Sequence, residues 1–147
     1  MMNRMEMKFS ARSENEMFAR MSVISFISML NPNIDEVNEI KTIISEAVTN
    51  SIIHGYDCDE TKEVHLKVLI DDSRITITIE DFGIGIKDIN QAKLPLYTSR
   101  PEIERSGMGL TIIEAFSDDL VIESKKNIGT KLTITKEIKT LKILSYV

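Results

Sequence analysis

Glu46 and Asn50 lie four residues apart in a segment with helical periodicity, and two glycine-bearing turns follow them at Asp81-Phe-Gly-Ile-Gly85 and Gly107-Met-Gly109. At 3.6 residues per turn, Glu46 and Asn50 stack on one face of a helix, away from the apolar stripe of Val37, Ile40, Ile44, Ala47 and Val48. An asparagine oxygen suits Mg²⁺, which takes oxygen ligands and keeps several waters. One protein ligand plus phosphate oxygens then suffices, and a carboxylate one turn away is placed to act as a base. The ordinary alternative is a solvated Glu–Asn pair on a helix surface.

Asp81 follows directly on an alternating apolar segment, so its carboxylate stands at a strand end, where it can accept a hydrogen bond from an exocyclic amine such as that of adenine. Gly83 and Gly85 permit positive φ and a close backbone approach to a ligand, although such a sequence also makes an ordinary turn. Gly107 and Gly109 open a helix, whose free N–H groups and positive dipole end favour phosphate. A third glycine and a parallel strand–helix–strand unit are missing, so this is not a dinucleotide fingerprint, and no G-x-x-x-x-G-K-[ST] loop occurs. Each stretch is weak alone. In this order they outline a pocket for ATP and Mg²⁺.

The elements that position them are legible in outline. Met5, Met7 and Phe9 alternate as in a strand with one buried face. Ser13-Glu-Asn-Glu16 has the form of a capping box, and Met17, Met21, Ile24 and Ser28 mark a helical stripe ending near Asn31-Pro32. A second helix is expected from about Asp35 to His54-Gly55, the glycine suiting a C-terminal stop. Val64 to Ile70 and Ile75 to Ile79 alternate around Asp71-Asp-Ser73 and form a hairpin. Residues 86–106 read as a long loop with short helical pieces, and such loops are usually functional. A helix from Gly107–Gly109 through Phe116 and strands near Leu120–Ser124 and Lys131–Lys136 complete the order. This predicts an α+β fold, a two-layer sandwich with helices on one face of a mixed, mostly antiparallel sheet.

The chain has 147 residues, enough for one domain with a real core, and 42% apolar residues exclude a mostly disordered protein. A net charge of −5 argues against nucleic acid as the main partner. No apolar run reaches the roughly 18 residues of a membrane span, and the N-terminus has no secretory hydrophobic segment. Cys58 is the single cysteine, which fits a reduced, cytoplasmic setting. No linker or repeat divides residues 1–147.

The joint pattern resembles the ATP-binding fold shared by DNA gyrase, the Hsp90 chaperone, histidine kinases and MutL, known as the Bergerat or GHKL fold. Glu46 to Asn50 is similar to its N motif, Asp81 to Gly85 to its first glycine motif, and Ser106, Gly107 and Gly109 to its second. Gly129-Thr130 resembles the late element beside the adenine. More narrowly, Phe9 to Glu16, Ser45 to Tyr56 and Pro95 to Gly109 resemble the anti-sigma-F factor family of endospore-forming bacteria.

That resemblance implies a protein serine kinase with ATP and Mg²⁺. It would sequester a sporulation sigma factor when loaded with ATP and phosphorylate a serine of a small anti-anti-sigma protein. By the same resemblance, Glu46 is the general base, Asn50 holds Mg²⁺, Asp81 and Thr130 flank the adenine, and Arg105 reaches the γ-phosphate. Residues 86–106 would be an ATP lid. Arg20 would dock partners on a homodimer, or else is a solvated helix charge. Residues 138–147 are left unassigned. Alternatives are a related stress-response anti-sigma kinase and a non-catalytic ATP-binding module. The ATPase half of a histidine kinase would need a phosphoacceptor on a dimerisation helix. The only histidines are His54, at a helix end, and His65, within a strand.

Overall fold

The computed structural model describes residues 2–94 and 109–139. Strand β1 (Met2–Ser10) leads to helix α1 (Glu14–Ile27), a 3₁₀ turn at Ser28–Leu30 and helix α2 (Ile34–Asn50). The hairpin β2 (Glu63–Asp71) and β3 (Arg74–Asp81) follows, then the short helix α3 (Ile89–Ala92), α4 (Gly109–Phe116), β4 (Asp119–Lys125) and β5 (Gly129–Glu137). Among the described residues the strands form one five-stranded sheet in the order β1-β2-β3-β5-β4.

Every pairing in that sheet is antiparallel, where the sequence predicts a mixed one. For β1 and β2 the cause lies in α1 and α2. Glu16, near the start of α1, meets Ser45, near the end of α2, so the two helices run against each other and return the chain to the end of the sheet it left. Ser10 therefore pairs with Glu63 and the ladder runs to Met2↔Asp71. The alternation sends Val64, Leu66, Val68 and Ile70 of β2, Ile75, Ile77 and Ile79 of β3, and Leu132 and Ile134 of β5 into the core against the helices. The opposite face carries Thr76 and Thr78 beside Thr135 and Thr133. It is the polar face that alternation requires.

Helix α2 is the centre of the helical layer and packs against both α1 and α4. Its N-terminus carries a full capping box: the Asn33 side chain accepts from Glu36 N at 2.8 Å, and the Glu36 carboxylate accepts from Asn33 N at 3.0 Å. Ile40, Ile43, Ile44, Ala47 and Val48 are buried, as the stripe predicts, with Val37 half-buried. The far end of β5 is tied to the same helix. Lys136 Nζ donates to Glu39 at 2.6 Å and to the Phe116 carbonyl at 2.8 Å, and Lys139 N donates to Glu36 at 2.7 Å. Ile138 is fully buried, so this first part of the unassigned tail belongs to the core.

Helix α1 departs from expectation twice. Ser13 makes no side-chain capping bond; Glu16 accepts instead from the Ser45 hydroxyl. The buried face is Ala19, Val23 and Ile27, while Met17 and Met21 point outward. Both sets share the i, i+4 spacing of a stripe, and Ala19 prevails because its small side chain lets α1 approach α2 closely.

A third departure is at the end of α2. The helix does not stop on a left-handed glycine; it widens into a π turn over Ser51–Gly55, with Tyr56 N donating to Ser51 O at 2.9 Å. Such widened turns are frequent at functional sites.

Candidate nucleotide-binding site

The end of α2, the end of β3 and the β4–β5 turn converge. Asp81 is 2% exposed at the last position of β3, where the ladder pairs it with Thr130. Its carboxylate accepts from Gly83 N at 3.0 Å, from the Ser51 hydroxyl and from the Thr130 backbone. Burial pushes its pKa above the usual carboxylate range, and those three donors pull it partly back. An ionised carboxylate has about four acceptor sites, so three donors leave capacity for one more, as recognition of an exocyclic amine requires.

Glycine is needed here for packing. A Cβ on Gly83 would stand 1.8 Å from the Gly55 carbonyl oxygen, and one on Gly55 would stand 2.6 Å from the Asp81 carboxylate, so only two glycines allow the turn after β3 to lie on the π turn. Gly85 adopts φ +77° and passes against the Lys125 carbonyl, where any side chain is both strained and blocked. The turn is then sewn down on both sides. Ile84 N donates to Gly55 O at 2.9 Å, Asn127 N to Ile84 O at 2.8 Å, and Ile86 N to Ser124 Oγ at 2.6 Å. Ser124 Oγ also lies 2.8 Å from Thr130 Oγ1.

Glu46 and Asn50 sit on the half-buried flank of α2, one turn apart, with Asn50 the last residue before the helix widens. Mg²⁺ fits this donor set in one respect: an amide oxygen at the helix end, with other ligands left to phosphates and water. No cluster of three or more His, Cys, Asp or Glu residues suited to a metal occurs among the described residues, so an all-protein cage is not the design. Gly109 and Leu110, both buried, begin α4. Arg105, Ser106 and Gly107, and the expected lid from residue 95 onward, lie outside the described residues; the first part of the 86–106 segment contains α3, capped by Asp88. A cleft of about 290 Å³ opens at the strand ends between Phe82, Ser124, Ile128 and Thr130. Asp81 lines it too, but it also runs out to Glu80 and Lys131 on the polar face, so the nucleotide reading rests on the Asp81 carboxylate rather than on the shape of this cleft.

The structure thus brings Asn50, Asp81, Gly83, Gly85 and Thr130 to one end of the molecule and Glu46 one turn behind. Arg20 lies apart on α1. Its Nη1 donates to Ser45 Oγ at 3.3 Å and stands 3.7 Å from Glu16, while its Nε is buried with no partner among the described residues. Sequence reasoning missed Ser51, Gly55 and Ser124. Ser51 and Gly55 lie just beyond the Glu46–Asn50 motif and carry no periodic signal, Gly55 being read only as a helix stop, and Ser124 acts only through a turn that tertiary folding brings to it.

Comparison with known proteins agrees with this geometry. The model of the histidine kinase-like ATPase domain matches residues 9–136. The anti-sigma F factor of Clostridium perfringens (strain SM101 / Type A) is 54% identical over 138 residues, 94% of this chain and 99% of that protein. That of Geobacillus kaustophilus (strain HTA426) is 51% identical over 144 residues, 98% of this chain and 99% of that one. Among solved structures, the RsbU and RsbW domains of Rv1364c from Mycobacterium tuberculosis superpose with a TM-score of 0.67 at 17% identity, covering 92% of this chain and 32% of that one. The SiaB–SiaC complex from Pseudomonas aeruginosa gives 0.63 at 11%, covering 90% and 88%. These two likenesses establish the fold. By sequence and fold together, the chain belongs to the histidine kinase-like ATPase domain family and, within it, to the anti-sigma F factors.

Proposed function

We propose that this protein is an ATP-dependent anti-sigma factor that holds a sporulation sigma factor and phosphorylates a serine of its anti-anti-sigma antagonist. The observation that carries the reading is identity above half, over nearly the whole length, with an anti-sigma F factor. ATP use follows from the domain family; serine specificity, Mg²⁺, the homodimer and the cytoplasmic setting are parts of the proposal. No helix among the described residues is long and apolar enough to cross a membrane.

In this reading Asp81 recognises the adenine, with Thr130 beside it. Asn50 would hold Mg²⁺, which when bound neutralises charge on the phosphates. Glu46 takes the proton from the serine hydroxyl, and Arg105 stabilises charge developing on the γ-phosphate. Residues 86–106 close over the nucleotide and make partner affinity depend on ATP or ADP. Partner docking on α1 is supported by its surface: Met17 and Phe18 are 59% and 62% exposed and Met21 51%, beside Arg20. An apolar patch around a cation is a common mark of a protein interface.

Incubation with labelled ATP, Mg²⁺ and the candidate antagonist tests the proposal. Phosphoserine is expected, and its absence at saturating nucleotide overturns the kinase. Sigma affinity equal with ATP and ADP overturns the switch.

A further inference from the structure

The pairing of β2 with β3 ends at His65↔Glu80. Continued by two residues, the same register would set Glu63 opposite Phe82. The phenol of Tyr56 stands in that place. Phe82 N donates to Tyr56 Oη at 2.8 Å, and Tyr56 Oη donates to the Glu63 carbonyl at 2.6 Å. One hydroxyl thus replaces a direct rung and holds the two strands apart by its own width. On its other side β3 stays paired with β5 as far as Asp81↔Thr130. The ring of Phe82 meets His65 edge-on, with centroids 5.0 Å apart. Tyr56 itself is buried, and burial raises its phenol pKa, so the proton that Glu63 receives stays on the oxygen.

We propose that Tyr56 is a positioning residue of the nucleotide site: its hydroxyl, spliced into the β2–β3 ladder, sets where β3 leaves the sheet and so aims the Asp81 carboxylate at the base. Tyr56 touches no nucleotide; it acts through Phe82 and the main chain of Asp81. The inference rests on the reading of Asp81 as the adenine acceptor.

The test compares wild type, Tyr56→Phe and Asp81→Asn for binding of ATP and of purine riboside triphosphate, which lacks the 6-amino group. KM for ATP and kcat are measured alongside. Tyr56→Phe should weaken ATP binding about fivefold, the effect of one lost hydrogen bond. It should leave the analogue's binding nearly unchanged and raise KM while kcat holds. Equal weakening of both nucleotides, or ATP affinity within twofold of wild type, overturns the role of Tyr56. If Asp81→Asn leaves the preference for ATP over the analogue intact, the reading of Asp81 fails and the inference falls with it. Should Tyr56→Phe not fold, hydrogen exchange of the wild-type full chain decides. A protected Phe82 amide supports the spliced rung, and a freely exchanging one overturns it.

Discussion

Helices α1 and α2 lie side by side, 14 and 17 residues long, yet they handle their side chains in opposite ways. In α2, from its start to Asn50, local and tertiary demands agree. The Asn33–Glu36 box closes its start, the large aliphatics face the sheet, and the polar flank carries Glu46 and Asn50. In α1 they conflict. Glu16 leaves its capping role for Ser45, small Ala19 faces inward, and Met17, Phe18 and Met21 face water. A helix anchored at every level suits groups that must be held for chemistry. One that spends apolar side chains on the surface and keeps an arginine between two partners suits docking.

That contrast can be broken most severely at Glu46. Glu46→Ala should lower phosphoryl transfer by about 10²–10⁴-fold while ATP-dependent sigma binding persists, read by labelled transfer and by co-purification. If binding disappears with transfer, α2 is not the purely chemical partner. Next in size, Ile44→Ala should cost about 2–5 kcal/mol by chemical denaturation, against about 0.5 kcal/mol or less for Met21→Ala on α1. Comparable costs would mean that the outer face of α1 is packed after all.

Arg20→Ala should weaken sigma binding about tenfold or more, as for an interface anchor, with little change in melting. Loss of its bond to Ser45 is offset by removal of the buried Nε, which has no partner among the described residues. A fall in melting without a change in affinity would instead make Arg20 a structural tie. The smallest contrast lies at the helix starts. Asn33→Ala should destabilise by about 1 kcal/mol. Ser13→Ala should stay within about 0.5 kcal/mol, since Ser13 makes no capping bond.

Much of this was readable before any coordinates. The hairpin around Asp72 and the stripe of α2 follow from periods of two and 3.6 with long aliphatic runs. Ser13-Glu-Asn-Glu16 and Asn33-Ile-Asp-Glu36 show why the rest was not. Both place a polar cap three residues before a glutamate, but only the second forms the box. Glu16 finds Ser45, 29 residues away in the chain, and no local rule weighs that competitor. Met17/Met21 and Ala19/Val23/Ile27 likewise offer rival stripes, and the distance of closest approach to α2 selects between them.

By itself the sequence determined which residue types could do chemistry and the order in which they come. It also determined the period of each element, because these depend on neighbours within a few residues. The tertiary structure alone decided that β5 enters between β3 and β4, that Gly83 rests on Gly55, and that Ser51 and Thr130 close on Asp81. It alone placed the Tyr56 hydroxyl between two strands. Such contacts join residues far apart in the chain, and close packing, rather than local preference, determines which of them form.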